Sequence, residues 1–259
     1  MHIYTRNVMK NRKTKISALI IIAIMIVNSL TACGVSSATT SPDLKDLEQK
    51  AAQGDIDAMY DVGYIYLIGD GVEIDYDKAF EYFTKAADKG MAQAYGSVGY
   101  CYQNGLGVEA DLDKMLEYYQ KGADAGDKIA QHDLAYFYEV GAYVEQDFDQ
   151  ALKYYRMSAD QDYPNSIFNI GFMYYTGRGV EQDYDTAIEY YRKAADQGLP
   201  VAIFAVGDCY YLGNGVEKDI KQAEKWYKKA LKAGYEPDDE DKSHLIDVLG
   251  EEYLSEIIP

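Results

Sequence analysis

Five stretches of 36 residues follow one another without insertion or deletion, starting at Asp55, Met91, Asp127, Tyr163 and Leu199. A period of this length constrains the chain more than any composition does. Each unit is one small element that cannot bury its own apolar face, so the fold must be a stacked array. The columns show what each unit holds fixed. The fourth position reads Ala58, Ala94, Ala130, Ser166 and Ala202, and the ninth reads Gly63, Gly99, Ala135, Gly171 and Gly207. The eighth is aliphatic (Val62, Val98, Leu134, Ile170, Val206), and the twelfth is tyrosine in every copy: Tyr66, Tyr102, Tyr138, Tyr174 and Tyr210. Spacings of four, one and three residues form one helical stripe, which predicts a first helix over roughly positions two to fourteen. Small residues at four and nine let a neighbouring helix come close.

A second helical pattern follows in each unit. It carries Ala79, Met115, Ala151, Ala187 and Ala223 in one column, then the pairs Tyr82-Phe83, Tyr118-Tyr119, Tyr154-Tyr155, Tyr190-Tyr191 and Trp226-Tyr227. It closes on small residues and usually glycine (Gly90, Gly126, Gly198, Gly234), a helix stop signal. Between the helices lies a glycine-rich loop: Gly69/Gly71, Gly105/Gly107, Gly177/Gly179 and Gly213/Gly215, with Gly141 and Tyr143 in the third copy. Such loops can cradle phosphate. Here, however, Asp75, Asp111, Asp147, Asp183 and Asp219 stand where the second helix begins, ready to cap its free N–H groups. Glu73, Glu109, Glu145, Glu181 and Glu217 add repulsion, so the loop reads as a bend and not as a phosphate site. Only Arg178 is peculiar to its copy, where the others have Asp70, Leu106, Ala142 and Asn214.

The pattern A-x-x-x-L-G-x-x-Y…G-x-G-V-x-x-D…A-x-x-Y-Y-x-K-A-A-x-x-G resembles the Sel-1-like repeat, a cousin of the tetratricopeptide repeat. The resemblance covers residues 55–234 and implies an all-α fold: a right-handed α/α superhelix of five helix-turn-helix repeats (55–90, 91–126, 127–162, 163–198, 199–234). Residues 44–54 resemble the second half of a repeat and are expected to form an N-terminal capping helix. Residues 235–259 are expected to form a C-terminal capping helix, with Leu245, Val248, Leu249 and Tyr253 near one face. The acids Asp238–Asp241 suit the positive end of that helix. A calcium loop is the alternative for this run, but the glycine and glutamate spacing of an EF-hand is missing.

Of 25 bases and 43 acids in the chain, residues 1–32 hold five bases (Arg6, Lys10, Arg12, Lys13, Lys15) and no acid. The remainder carries a balance of −23, which excludes a nucleic-acid binder and argues against adhesion to an anionic bilayer. The basic start is followed by an apolar run, Ile16 to Val27, too short to cross a bilayer and read as a signal-peptide core. Leu30-Thr31-Ala32-Cys33 then resembles the bacterial lipobox, which implies cleavage after residue 32 and acylation of Cys33. An ordinary signal peptide with a chance cysteine is the plainer alternative. Residues 33–43 are small and polar, as a flexible tether should be. The expected location is extracytoplasmic, with the membrane reached through the lipid anchor only.

Cys101 and Cys209 both fall at position eleven, an apolar column, and read as buried free thiols. Three repeats of packed helices separate them by more than about 20 Å, well beyond disulfide reach. A cysteine-rich branch of the family carries a disulfide in each repeat and is associated with penicillin binding; without those cysteines that analogy lapses. The three histidines, His2, His132 and His244, are too few and too scattered for a zinc site. No serine sits in a nucleophile motif. The expectation is a protein that is not an enzyme, has no cofactor and no metal, and works as a monomer.

The tetratricopeptide analogy implies that positions three, six, ten and thirteen of the first helices line a concave groove. Position six supplies Tyr60, His132, Phe168 and Phe204; position ten supplies Tyr64, Tyr100, Tyr136, Phe172 and Asp208; position thirteen supplies Tyr175 and Tyr211. Tyrosine and phenylalanine offer large contact areas at low entropy cost. These eleven residues are the candidate partner-binding set, for a protein or peptide. A carbohydrate or cell-wall fragment is the alternative ligand, and hydrolysis of envelope material a distant third.

Overall fold

The computed structural model describes residues 44–257, all helical among the described residues apart from turns. A short helix α1 (Leu44–Ala52) precedes five helix pairs: α2 (Ile56–Ile68) with α3 (Tyr76–Asp88), α4 (Ala92–Asn104) with α5 (Leu112–Asp124), α6 (Lys128–Val140) with α7 (Phe148–Ala159), α8 (Pro164–Thr176) with α9 (Tyr184–Asp196), and α10 (Pro200–Leu212) with α11 (Ile220–Lys232). Each helix packs on the ones before and after it in the chain, which makes an α-solenoid. α1 packs on α2, and its Glu48 accepts a hydrogen bond of 2.8 Å from the Tyr66 hydroxyl.

The loop column does two mechanical jobs. The first glycine ends each first helix in the left-handed region, at φ 65–80°, and its N–H donates to the carbonyl four residues back. The second glycine lets repeats approach. A Cβ on Gly107 would lie 2.1 Å from the Tyr76 carbonyl oxygen, and one on Gly215 would lie 2.2 Å from that of Tyr184. Gly71, in the first repeat, has no such neighbour. The loops of repeats two, four and five thus rest on the start of the preceding repeat's second helix. The capping aspartates behave as the spacing predicts: Asp75, Asp111, Asp147, Asp183 and Asp219 each accept from backbone N–H groups of the first turn. Asp162 stands where the other repeats end on glycine, and it adopts the same left-handed backbone at φ 57°.

Residues 235–257 form a separate unit, and here the expectation of one capping helix is corrected. There are two helices, α12 (Asp239–Leu249) and α13 (Glu251–Ile257), because Gly250 at φ 84°, ψ 150° breaks the pattern. The acidic run opens α12 as a capping box: the Asp238 side chain accepts from Asp241 N–H, and Asp241 accepts from Asp238 N–H and from the Tyr235 hydroxyl at 2.6 Å. Among the described residues no three His, Cys, Asp or Glu side chains converge on a metal position. No described helix is long and apolar enough to cross a membrane.

Candidate functional site

The aromatic columns sort into two layers with different work. The second ring of each pair (Phe83, Tyr119, Tyr155, Tyr191, Tyr227) is at most 2% exposed and lies over position nine of its own repeat. A Cβ on Gly207 would meet the Tyr227 ring at 2.6 Å, and one on Gly63 would meet Phe83 at 2.8 Å. The glycine column therefore makes room for these rings. The first ring of the pair stacks instead on the position-twelve tyrosine: Tyr66 on Tyr82, Tyr102 on Tyr118, Tyr138 on Tyr154 and Tyr174 on Tyr190, at 5.6–6.4 Å. Lysines cover this outer ladder, Lys78 lying 4.4 Å from Tyr66 and Lys121 4.7 Å from Tyr118.

Position six departs from the groove expectation. Its rings close the other side of the second aromatic: Tyr60 on Phe83 at 5.5 Å, His132 on Tyr155 at 5.5 Å, Phe168 on Tyr191 at 5.3 Å and Phe204 on Tyr227 at 4.9 Å. Phe204 is 1% exposed, and Phe168 and Tyr100 are 9% exposed. The expectation that these three present their rings to a partner is corrected: the hydrophobic effect has already used that area inside the solenoid. Where position six is Gly96, Tyr119 packs edge-on against Phe137 of the next repeat at 5.4 Å. Tyr60, Tyr64, His132, Tyr136, Phe172, Tyr175, Asp208 and Tyr211 are half-buried.

His132 has its ring between Tyr155 and Tyr163, and burial pushes its pKa down to about 4. Its Nδ1 lies 2.9 Å from Ser166 Oγ. Ser166 already donates to Ser158 Oγ at 2.8 Å, and Ser158 to the Lys128 carbonyl at 2.7 Å, so the imidazole N–H must donate to Ser166. That tautomer cannot take a proton from Ser166, so this serine–histidine contact is no nucleophile–base pair. Both serines stand in columns otherwise filled by alanine, glycine or their like, and the three polar residues satisfy one another. Cys101 and Cys209 are free and fully buried, and burial pushes their thiols up to about 12.

Position thirteen meets the loop of the next repeat, a pairing the sequence reading missed. Glu139, 7% exposed at its side chain, accepts from Arg178 at 3.2 Å and from the Tyr155 hydroxyl at 2.8 Å. Arg178 also lies over the Phe172 ring at 5.2 Å. Tyr175 accepts from Asn214 at 2.8 Å, and Gln103 donates to Tyr143 at 3.3 Å. Burial is the main reason that the Tyr175 hydroxyl is pushed up to about 12. The peculiar Arg178 is thus matched to the one acidic residue in column thirteen. The signal was legible as two singular residues 39 apart.

The Sel1 repeat family profile matches residues 56–91, 92–127, 128–163, 164–199 and 200–235, more than half of the chain. The chain belongs to the Sel1 repeat family. Sel1 repeats build a scaffold typical of protein–protein interaction. Among solved structures, a protective antigen of uropathogenic Escherichia coli with this fold is 31% identical at a TM-score of 0.68; the match covers 76% of this chain and 43% of that one. The present chain therefore spans less than half of that antigen. A Sel1 repeat protein from Oxalobacter formigenes is 26% identical at a TM-score of 0.66, over 82% of this chain and 100% of that one. A Klebsiella pneumoniae protein described as a Sel1 repeat protein shares the fold at 20% identity and a TM-score of 0.51, over 80% of this chain and 100% of that one. No curated protein sequence matches the chain. Cys33, with the signal segment 1–32 and the tether 33–43, lies outside the described residues.

Proposed function

We propose that this Sel1 repeat protein is a non-enzymatic scaffold of a bacterial envelope, held to a membrane by lipid on Cys33, which binds a protein or peptide along its first helices. The observation that carries the reading is a row of half-buried aromatics on those helices: Tyr64, Tyr136, Phe172, Tyr175 and Tyr211. The rings that fill each repeat are buried, whereas this row keeps part of its area exposed, Tyr175 while also packing on Tyr184 and Tyr191 at 5.0 and 6.1 Å. Rigid, half-exposed rings are the residue type on which interface energy concentrates.

The test is capture from envelope extracts with the wild type and with Tyr64→Ala/Tyr136→Ala, two half-buried sites outside the core columns. Loss of a captured protein, with helicity and melting temperature retained, supports the reading. Retention of every captured protein refutes it, and capture of glycan alone identifies a carbohydrate ligand instead. For the anchor, Cys33→Ser should move the protein out of the membrane fraction and end its labelling by palmitate. Continued labelling refutes acylation at that cysteine.

A further inference from the structure

The junction of repeats two and three differs from the other three in how closely it is packed and in what it buries. Gly96 and Gly122 bring the two repeats together: a Cβ on Gly122 would lie 2.8 Å from Ala130 Cβ, and one on Gly96 would lie 3.1 Å from Asp127 Oδ2. Two carboxylates are enclosed as a result, Asp127 at 6% exposure and Asp133 at 9%. Asp127 is accounted for, since it caps α6 by accepting from Ile129 and Ala130 N–H. Asp133 is not. It makes no hydrogen bond or ion pair among the described residues.

The column that Asp133 occupies shows where its side chain is turned. Position seven reaches back to the preceding repeat: Ser97 donates to the Tyr60 hydroxyl at 3.5 Å, and Asn169 hydrogen-bonds the Tyr155 hydroxyl. Asp133 accordingly sits in electrostatic range of Tyr119. The Tyr119 hydroxyl, however, donates to Gln103 Oε1 at 3.2 Å, and Gln103 is itself held by Tyr143. That hydroxyl is committed elsewhere. Burial and the neighbouring Asp127 push the Asp133 carboxyl up to about 8, so the fold keeps it protonated at neutral pH and supplies no counter-charge. Among the described residues Thr84 Oγ1 is the one sealed side-chain polar atom without a partner, so the Asp133 oxygens touch solvent and are within reach of a cation.

The rest of the first-helix surface has the same sign. α2 carries Asp57 and Asp61, α10 carries Asp208, α4 and α8 carry no charge, and Lys128 is the single base on all five first helices. The lysines and arginines are concentrated on the second helices instead. Among the described residues no three candidate metal ligands converge here.

We propose that Asp133, between the first helices of repeats two and three, is the socket for a lysine or arginine side chain of a basic peptide partner. The proposal rests on the reading of the first-helix face as a binding face and names the chemistry of what binds there. A guanidinium or ammonium group at the solvent-touched edge of Asp133 would supply the donors that the fold does not, and the acid would ionise on binding.

The test follows the Asp133 carboxyl carbon by nuclear magnetic resonance through a pH titration of the full chain, with the signal assigned by its absence in Asp133→Asn. Millimolar butylguanidinium and butylammonium stand for the two side chains, and neutral butylurea at matched ionic strength is the control. Either cation should lower the Asp133 midpoint by about one unit, a tenfold gain in acidity. The exposed Asp113 should not move, and butylurea should move neither. An Asp133 midpoint unchanged by both cations, or lowered equally with that of Asp113, overturns the proposal. The aromatic substitutions do not enter this measurement, so the cation site can fail while the binding face stands, and the reverse.

Discussion

Replacing Asp133 with asparagine should make the protein more stable, and more so as the pH rises. The sign follows from linkage. The folded state keeps the Asp133 proton up to about pH 8, whereas an unfolded aspartate releases it near its ordinary value. Between those limits the unfolded chain binds fewer protons, so ionisation favours unfolding, and the loss grows by about 1.4 kcal/mol for each pH unit. From about pH 5 to about pH 7 the gap between Asp133→Asn and wild type should therefore widen by roughly 2–3 kcal/mol. Asparagine suits the site: Asn169 holds the same column one repeat later and hydrogen-bonds Tyr155. Comparing the two proteins at each pH cancels the opposing contribution of His132, which stays neutral in the fold down to about 4 and weakens it on acidification. The assay is urea unfolding followed by far-ultraviolet circular dichroism across that pH range. A gap that stays constant with pH, or an asparagine variant less stable at every pH, refutes the buried-acid reading.

Three further outcomes follow from the packing. Arg178→Ala strips Glu139 of its cation while the carboxylate stays buried, and should cost about 2 kcal/mol, less than a fully buried pair because Arg178 is 30% exposed; a double-mutant cycle with Glu139→Gln should show coupling, and additive effects would dismiss the pair. Gly215→Ala combines a left-handed backbone with a carbonyl 2.2 Å from the new Cβ, and should cost about 3 kcal/mol or more by urea unfolding, against about 1 kcal/mol for Gly71→Ala, which meets nothing. Cys101 and Cys209 should react with a thiol reagent only at the rate of unfolding, since both are fully buried and pushed up to about 12; fast labelling in native buffer would contradict the packing.

The fold was legible because its signals are local and repeated. A helix stripe, a left-handed glycine and a capping aspartate each act within a few residues, and five copies average out chance. The candidate binding set was only partly legible. Position six shares a helical face with positions three and ten, but spacing along one helix does not say which ring covers it. Phe204 and Phe168 are taken by Tyr227 and Tyr191 of the second helix, a contact made across the repeat and invisible in a column of first-helix residues. The same reason hid Asp133, whose meaning depends on Tyr119 having spent its hydroxyl on Gln103. At the C-terminal end the reading failed locally. Val248, Leu249 and Tyr253 keep helical spacing straight through Gly250, and only the backbone angle at that glycine separates α12 from α13.

The matched residues between column thirteen and the following loop have a consequence for how such a chain avoids assembling wrongly. Units this alike could dock out of order, with one skipped and the next laid in its place. If repeat four were laid directly on repeat two, Arg178 would meet Gln103, and Glu139 would lose the Arg178 guanidinium. If repeat five were laid on repeat three, Asn214 would face Glu139, and Tyr175 would lose its donor. The junction chemistry is thus a set of addresses: each unit is spelled nearly alike, yet each fits well only against the one that precedes it.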